Sequence, residues 1–217
     1  MKAKESFAKN IGRCMTLLSI HKSKWPRRPA QQGDDLLRAI VMLAVSALDS
    51  YMHDIVLENA PQIAMAFANG KTTVPGKLLD SIKGVLTPER ALRLVGRKRP
   101  DLEIRGIISE FIEERTFQNP GEIENALKLI TIDDFWDDLR KRLGLRRKNQ
   151  VKEYLVLYIT RRHKIVHEAD TYKGNRNHDK LRPISRPYTE ECIKKVTKFT
   201  IGLDKVIAIR MRRVLGK

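Results

Sequence analysis

The sequence predicts an all-α fold. Apolar residues recur three or four positions apart in the long segments, no stretch alternates apolar and polar residues as a half-buried strand does, and proline or glycine stands at the breaks. Hydrophobic residues make up 41% of the 217 and charged residues 32%, enough apolar material for a core. One folded domain over residues 1–217 is expected.

The first helix is predicted over residues 2 to 20, with Phe7, Ile11, Met15 and Leu18 at helical spacing. It ends before "HKSKWPRRPAQQG", where Trp25 and its prolines mark a loop. "DDLLRAIVMLAVSALDSYMHDIVLENAP" opens on acids suited to a helix N-terminus and reads as a central, buried helix stopping at Pro61. Residues 61–145 are expected to form an elaborated helical insertion containing "TPERALRLVG", "PDLEIRGIISEFIEERTF", "NPGEIENALKLI" and "TIDDFWDDLRKRLG". One helix over 151–167, a basic loop over 171–187 and a closing helix from about Thr189 to Leu215 complete the chain.

Charge narrows the function. With 43 Lys+Arg against 26 Asp+Glu the net charge is +17, the footprint of a polyanion binder. Nucleic acid is the leading candidate, because phosphate neutralisation releases counterions; an anionic membrane or an acidic protein is the weaker one. The apolar run of the second helix contains Arg38, Asp49 and Asp54, costly at membrane depth, so no transmembrane span is predicted. The N-terminus lacks a small-residue cleavage pattern, so a signal peptide is not expected and the cytoplasm is the expected location. Cys14 and Cys192 stand far apart without metal-ligand spacing, and no cofactor motif is present.

The stretch "VKEYLVLYITRRHKIVHEAD" carries the chemistry. With residues about 100° apart on a helix, Val151, Leu155, Tyr158, Ile159, Ile165 and Val166 fall within about 60° of Arg162, in the middle of the apolar stripe. A guanidinium there needs a carboxylate (Asp49 is one candidate), a helix end, an opening to solvent or an anionic ligand. A bland reading also exists, in which basic residues complement the helix dipole and His167 is a capping histidine.

Arg162, His163 and His167 in "RRHKIVHEAD" resemble the Arg-x4–6-His motif of the HEPN superfamily, in which a polar residue typically follows the arginine. The likeness is to the RiboL-PSP-HEPN branch, since "SALDSYMHDIV" resembles its early helix and "PISRPYTEECIKKVTKFTIGLDKVI" its segment after the motif. The resemblance implies a HEPN-like helical bundle and a metal-independent endoribonuclease, often a toxin or phage-defence effector, with its active site between two subunits. It assigns Arg162 and His167 the essential roles, with His163 supporting. Some relatives of this kind carry a tyrosine two residues after the histidine as a target for a nucleotidyltransferase antitoxin; here that position is Ala169, and Tyr172 is out of register.

Metal-independent cleavage uses the neighbouring 2′-hydroxyl as nucleophile, a general base, a cation on the phosphorane and a general acid for the leaving oxygen. Histidine suits both proton roles. On an unbroken helix His167 lies about 140° around and about 7.5 Å along from Arg162, so one chain looks insufficient and a two-fold dimer is expected. Arg161, Lys164, Arg146, Arg147 and Lys148 are candidate phosphate contacts for substrate RNA. Lys173, Arg176, Lys180, Arg182 and Arg186 of the 171–187 loop, and "WPRRP", are further basic candidates. The acids Asp133, Asp134, Asp137 and Asp138 read as a helix N-terminus and not as metal ligands. A catalytically silent basic module that binds RNA or a protein is the alternative, and an antitoxin or regulator is a possible partner.

Overall fold

The computed structural model describes residues 2–26, 31–73, 76–83, 85–95, 98–172 and 180–216. Their order is α1 (Lys2–Lys24), α2 (Gln31–Ala68), α3 (Gly76–Lys83), α4 (Pro88–Val95), α5 (Pro100–Ile112), α6 (Pro120–Lys128), α7 (Trp136–Leu143), α8 (Lys148–Glu153), α9 (Val156–Glu168) and α10 (Arg186–Val214). The fold is all-α. Thr171 and Leu181 form one isolated bridge, and no strand occurs among the described residues.

Four helices make the frame, and pairwise contacts fix their directions. Lys4 meets Asp204 at 3.9 Å while Lys22 meets Glu190 at 2.8 Å, so α1 and α10 run antiparallel. Ala3 N–H donates to Glu58 at one end of the α1–α2 pair, and Trp25 lies against Gly33 at the other. Gly33 suits this close approach, because a Cβ would meet the Trp25 ring at a tight 3.2 Å. Tyr51 packs edge-on against Phe7 and donates its hydroxyl to Asp204 at 3.1 Å, tying α2 to both neighbours. Helix α9 returns along α2, its end anchored near Arg38.

Helix α2 is long and apolar enough to cross a membrane by composition. Its apolar residues, from Leu37 through Val41, Leu48, Met52 and Ile55 to Ile63, are instead buried among the other helices. It also runs through Pro61, where the sequence predicts a stop. A proline inside a helix frees the carbonyl four residues back, here that of Leu57. Arg105 of α5 donates to that carbonyl at 3.0 Å, satisfying the acceptor that Pro61 leaves open.

Segment 61–145 shares the main core: Ile108, Phe117, Leu127, Phe135 and Leu139 belong to the same buried cluster as α2 and α10. Helix α6 starts as its sequence predicts, with Asn119 accepting from the Glu122 N–H at 2.9 Å and Pro120 following. Helix α5 stops at Ile112, short of the predicted Phe117, because Phe117 N–H and Gln118 Nε2 turn back to donate to Asp49. Helix α7 closes on Gly144 at φ 72, and Gly202 lets α10 approach it, a Cβ there meeting Leu139 at 3.1 Å.

The predicted single helix over 151–167 is two. Helix α8 ends at Glu153 and α9 begins at Val156, with Leu155 at φ −110 and ψ −7 between them. Both Val151 and Leu155 remain buried, so the break lets each short helix turn its own apolar residues inward.

Candidate active site

Helix α9 has an inward and an outward face. Leu155, Tyr158, Ile159 and Ile165 face the core with Arg162, whereas Val166 is 46% exposed, outside the stripe the sequence predicts. Arg162 is half-buried, and its Nε is sequestered without a hydrogen-bond acceptor. It makes no ion pair among the described residues. Asp49, the carboxylate suggested for it by the sequence, is taken by Phe117 N–H at 2.6 Å and Gln118 at 3.0 Å. Leaving a buried donor unmatched costs about 1–3 kcal/mol, so an acceptor supplied from outside is favoured at this point.

His163 and His167 stand one turn apart on the exposed face. Their ring centroids are 4.4 Å apart with an interplanar angle of 44°. Helix α9 continues through Glu168, so His167 keeps the angular offset from Arg162 expected of an unbroken helix. Val156 and Thr160 extend the same exposed stripe toward the start of the helix.

Immediately after the motif the chain turns sharply. Ala169 and Asp170 both take left-handed conformations, at φ 48 and φ 59. Asp170 is fully buried and receives Arg38 Nε at 2.7 Å and Arg161 Nη2 at 2.7 Å through the same oxygen, Oδ2. Arg38 and Arg161 also donate to the Arg182 carbonyl, and the Arg182 N–H donates to the Asp170 carbonyl at 2.8 Å. This clamp pins the end of the motif helix to α2 and to the strand of chain leading into α10.

The clamp also engages one residue predicted to contact phosphate. Arg161, expected to contact phosphate, has its Nη2 committed to Asp170 and to the carbonyls of Arg182 and Pro183. Asp170 and Arg38 are the participants that the sequence reading did not single out for the site, whereas Arg182 was among its basic loop candidates. An arginine inside the apolar run of α2 was the available signal, but its partner lies 132 residues away.

Other predicted positions fall as follows. Arg146, Arg147 and Lys148 are exposed at the start of α8, where Gln150 Oε1 accepts from the backbone N–H groups of Arg146 and Arg147. Lys164 is half-buried on α9. Lys173 and Arg176 of the basic loop, and Arg27 and Arg28 of "WPRRP", lie outside the described residues. Arg182 rests 4.5 Å above the Tyr172 ring, and Arg186 donates to the Trp25 carbonyl at 2.6 Å. In the acidic segment, Asp137 pairs with Arg140 and Lys141, and Asp138 with Arg210. His53 packs on Phe117 with its nitrogens against the Asp49 and Ile112 carbonyls, away from α9.

Burial sets the ionisation of the groups around the frame. It pushes the Tyr188 phenol up to about 12, where that ring stacks on Tyr158 at 5.2 Å. It raises Cys192 to about 12 and Cys14 in the same direction, so neither thiol is a ready nucleophile.

Comparison with known proteins adds one finding: the family model described as RiboL-PSP-HEPN matches residues 10–208. No curated protein and no solved structure matches the chain.

Proposed function

From the premise that the chain belongs to the RiboL-PSP-HEPN family, which points to nuclease or RNA-binding work, we propose that it is a metal-independent endoribonuclease acting in the cytoplasm as a toxin or phage-defence effector. One observation carries this reading: an exposed pair of imidazoles 4.4 Å apart on the helix that also holds an arginine nitrogen without an acceptor. One histidine removes the proton from a 2′-hydroxyl, and its oxygen attacks the adjacent phosphorus. Arg162 steadies the charge of the phosphorane, and a second imidazole protonates the departing 5′-oxygen. The products are a 2′,3′-cyclic phosphate and a 5′-hydroxyl.

His167 is the essential proton carrier, with His163 as orienting or second carrier. Arg146, Arg147, Lys148 and Lys164 supply phosphate contacts, and Arg161 belongs to the clamp. The active form is a two-fold dimer apposing the outer faces of two α9 helices. Supporting that assembly, Val156, Leu157 and Val166 are 44%, 60% and 46% exposed beside the histidines. Like charges gathered at such a seam favour a phosphate between them. Cleavage harmful to its own host also requires an inhibitor or a trigger, and Ala169 argues against tyrosine modification as that control.

The test is cleavage of a mixed RNA pool in EDTA by wild type, Arg162→Ala and His167→Ala. Wild type is expected to leave 2′,3′-cyclic phosphate ends, and each variant to lose about a hundredfold or more in rate while retaining RNA binding. Cleavage abolished by EDTA, or unchanged in His167→Ala, refutes the mechanism. No cleavage by any folded form with equal RNA binding assigns the protein to the silent binding modules.

A further inference from the structure

A second concave surface lies between α1 and α10, reaching α7, and no residue of α9 lines it. It is a groove of about 800 Å3. Its floor is apolar, with Ile11, Met15 and Leu18 of α1 facing Ile193 and Ile201 of α10. Met15 is 52% and Ile201 41% exposed, although the spacing of Met15 would place it in a core. Contiguous apolar surface rimmed by polar groups marks an interaction site more often than scattered apolar residues do.

The rim is cationic. Lys22 is held by Glu190 at 2.8 Å, and Lys198 donates to the Leu143 carbonyl at 3.0 Å. Arg142, Lys194 and Lys205 are exposed and make no ion pair among the described residues. Glu190 is the sole acid among the described residues of the lining, and Lys22 already neutralises it. An occupant must therefore bring apolar side chains and spare carboxylates together.

Three physical points select among occupants. No aromatic ring lines the groove among the described residues, so the bases of an RNA strand find no stacking platform there. A second copy docking by two-fold symmetry would set this cationic rim against itself. The lined stretch runs from Ile11 to Lys22 on α1 and from Glu190 to Lys205 on α10, about 16 Å and about 22 Å of helix. That length matches three to four turns of a third helix, roughly 11–15 residues.

We propose that the α1–α10 groove docks an acidic amphipathic helix of a partner protein. Its apolar stripe seats on Met15, Leu18 and Ile201, and its flanking carboxylates meet Arg142, Lys194 and Lys205. The inference stands apart from the RNA-cleavage reading, because none of these residues belongs to α9 or its clamp.

The experiment uses the full chain and a fluorescein-labelled helical peptide of about 15 residues, with leucines on one face and glutamates on the flanks, followed by anisotropy. Saturable binding is expected, weakened about tenfold or more by Ile201→Glu and separately by the Lys194→Glu, Lys205→Glu double variant. Met15→Ser tests the same floor from α1, and circular dichroism reports whether each variant is folded. A permuted peptide of the same composition should bind at least about tenfold more weakly. Equal binding of the permuted peptide, or undiminished binding by the folded variants, overturns the proposal. So does saturation by laurate with no peptide binding, which would assign the groove to a small anionic amphiphile.

Discussion

Asp170→Asn isolates the charge at the centre of the clamp. Asparagine keeps the side-chain size and tolerates the left-handed conformation at φ 59, so little but the carboxylate charge is removed. Asp170 is fully buried and Arg38 is 6% exposed. Removing one partner of a buried pair costs about 3–5 kcal/mol, because the remaining charge stays desolvated. Two features pull the expectation to the lower end: Arg38 retains Asp35 at 3.0 Å, and the Arg161 side chain is 16% exposed. About 3 kcal/mol is therefore expected, or about 6–12 °C in Tm for a chain of this length. Urea unfolding followed by circular dichroism is the assay, with an unchanged m-value showing that the unfolding reaction itself is the same. The loss should persist in salt, since buried pairs are poorly screened. A change below about 0.5 kcal/mol, or a stabilised variant, would refute the account of Asp170 as an anchor.

His21 should make stability pH-dependent. Burial first, and then the Arg186 guanidinium 3.4 Å from Nδ1, hold its pKa below the ordinary value despite Asp34. The unfolded chain thus binds the proton more readily, so this contribution is present above about pH 6.5 and is lost as pH falls through the lower folded value. Urea midpoints should drop less in His21→Gln than in wild type on going from about pH 7.5 to about pH 5.5; a larger drop in the variant would reverse the sign. Cys14 and Cys192 are both fully buried, so a thiol reagent should modify them only on unfolding, and rapid labelling of native protein would contradict their placement. The rate of RNA cleavage should follow a bell-shaped pH profile if a base and an acid act together, and a single-limbed profile would count against the paired-imidazole mechanism.

The sequence was most legible where local rules suffice. The periodicity of α1, α2 and α10 and the Asn-Pro start of α6 follow from residues a few positions apart. It was least legible where a distant side chain decides a local outcome. Pro61 reads as a stop because Arg105, which caps the freed Leu57 carbonyl, arrives from another helix. Arg161 reads as a phosphate ligand because Asp170 is nine residues along and its geometry depends on a turn with two left-handed residues. Arg162 and His167 were nominated through their motif, whereas the 4.4 Å approach of His163 to His167 required an unbroken α9. The groove was hidden for a different reason: Met15 carries the spacing of a core residue but lines the open groove between α1 and α10.

The clamp also bears on the order in which the protein assembles. Arg38 and Asp170 are separated by 132 positions, and Tyr51 and Asp204 by 153. Contacts of such separation are rewarded only after the cost of closing a long loop has been met. A growing chain can pair α1 with α2 early, because Ala3 and Glu58 are 55 positions apart. The Arg38–Asp170 contact at the end of the motif helix, in contrast, spans 132 positions, and without it Arg38 has only Asp35 of its own helix as a carboxylate partner. The placement of the end of the motif helix is thus tied to a contact 132 positions long, whereas α1 and α2 are tied by one of 55.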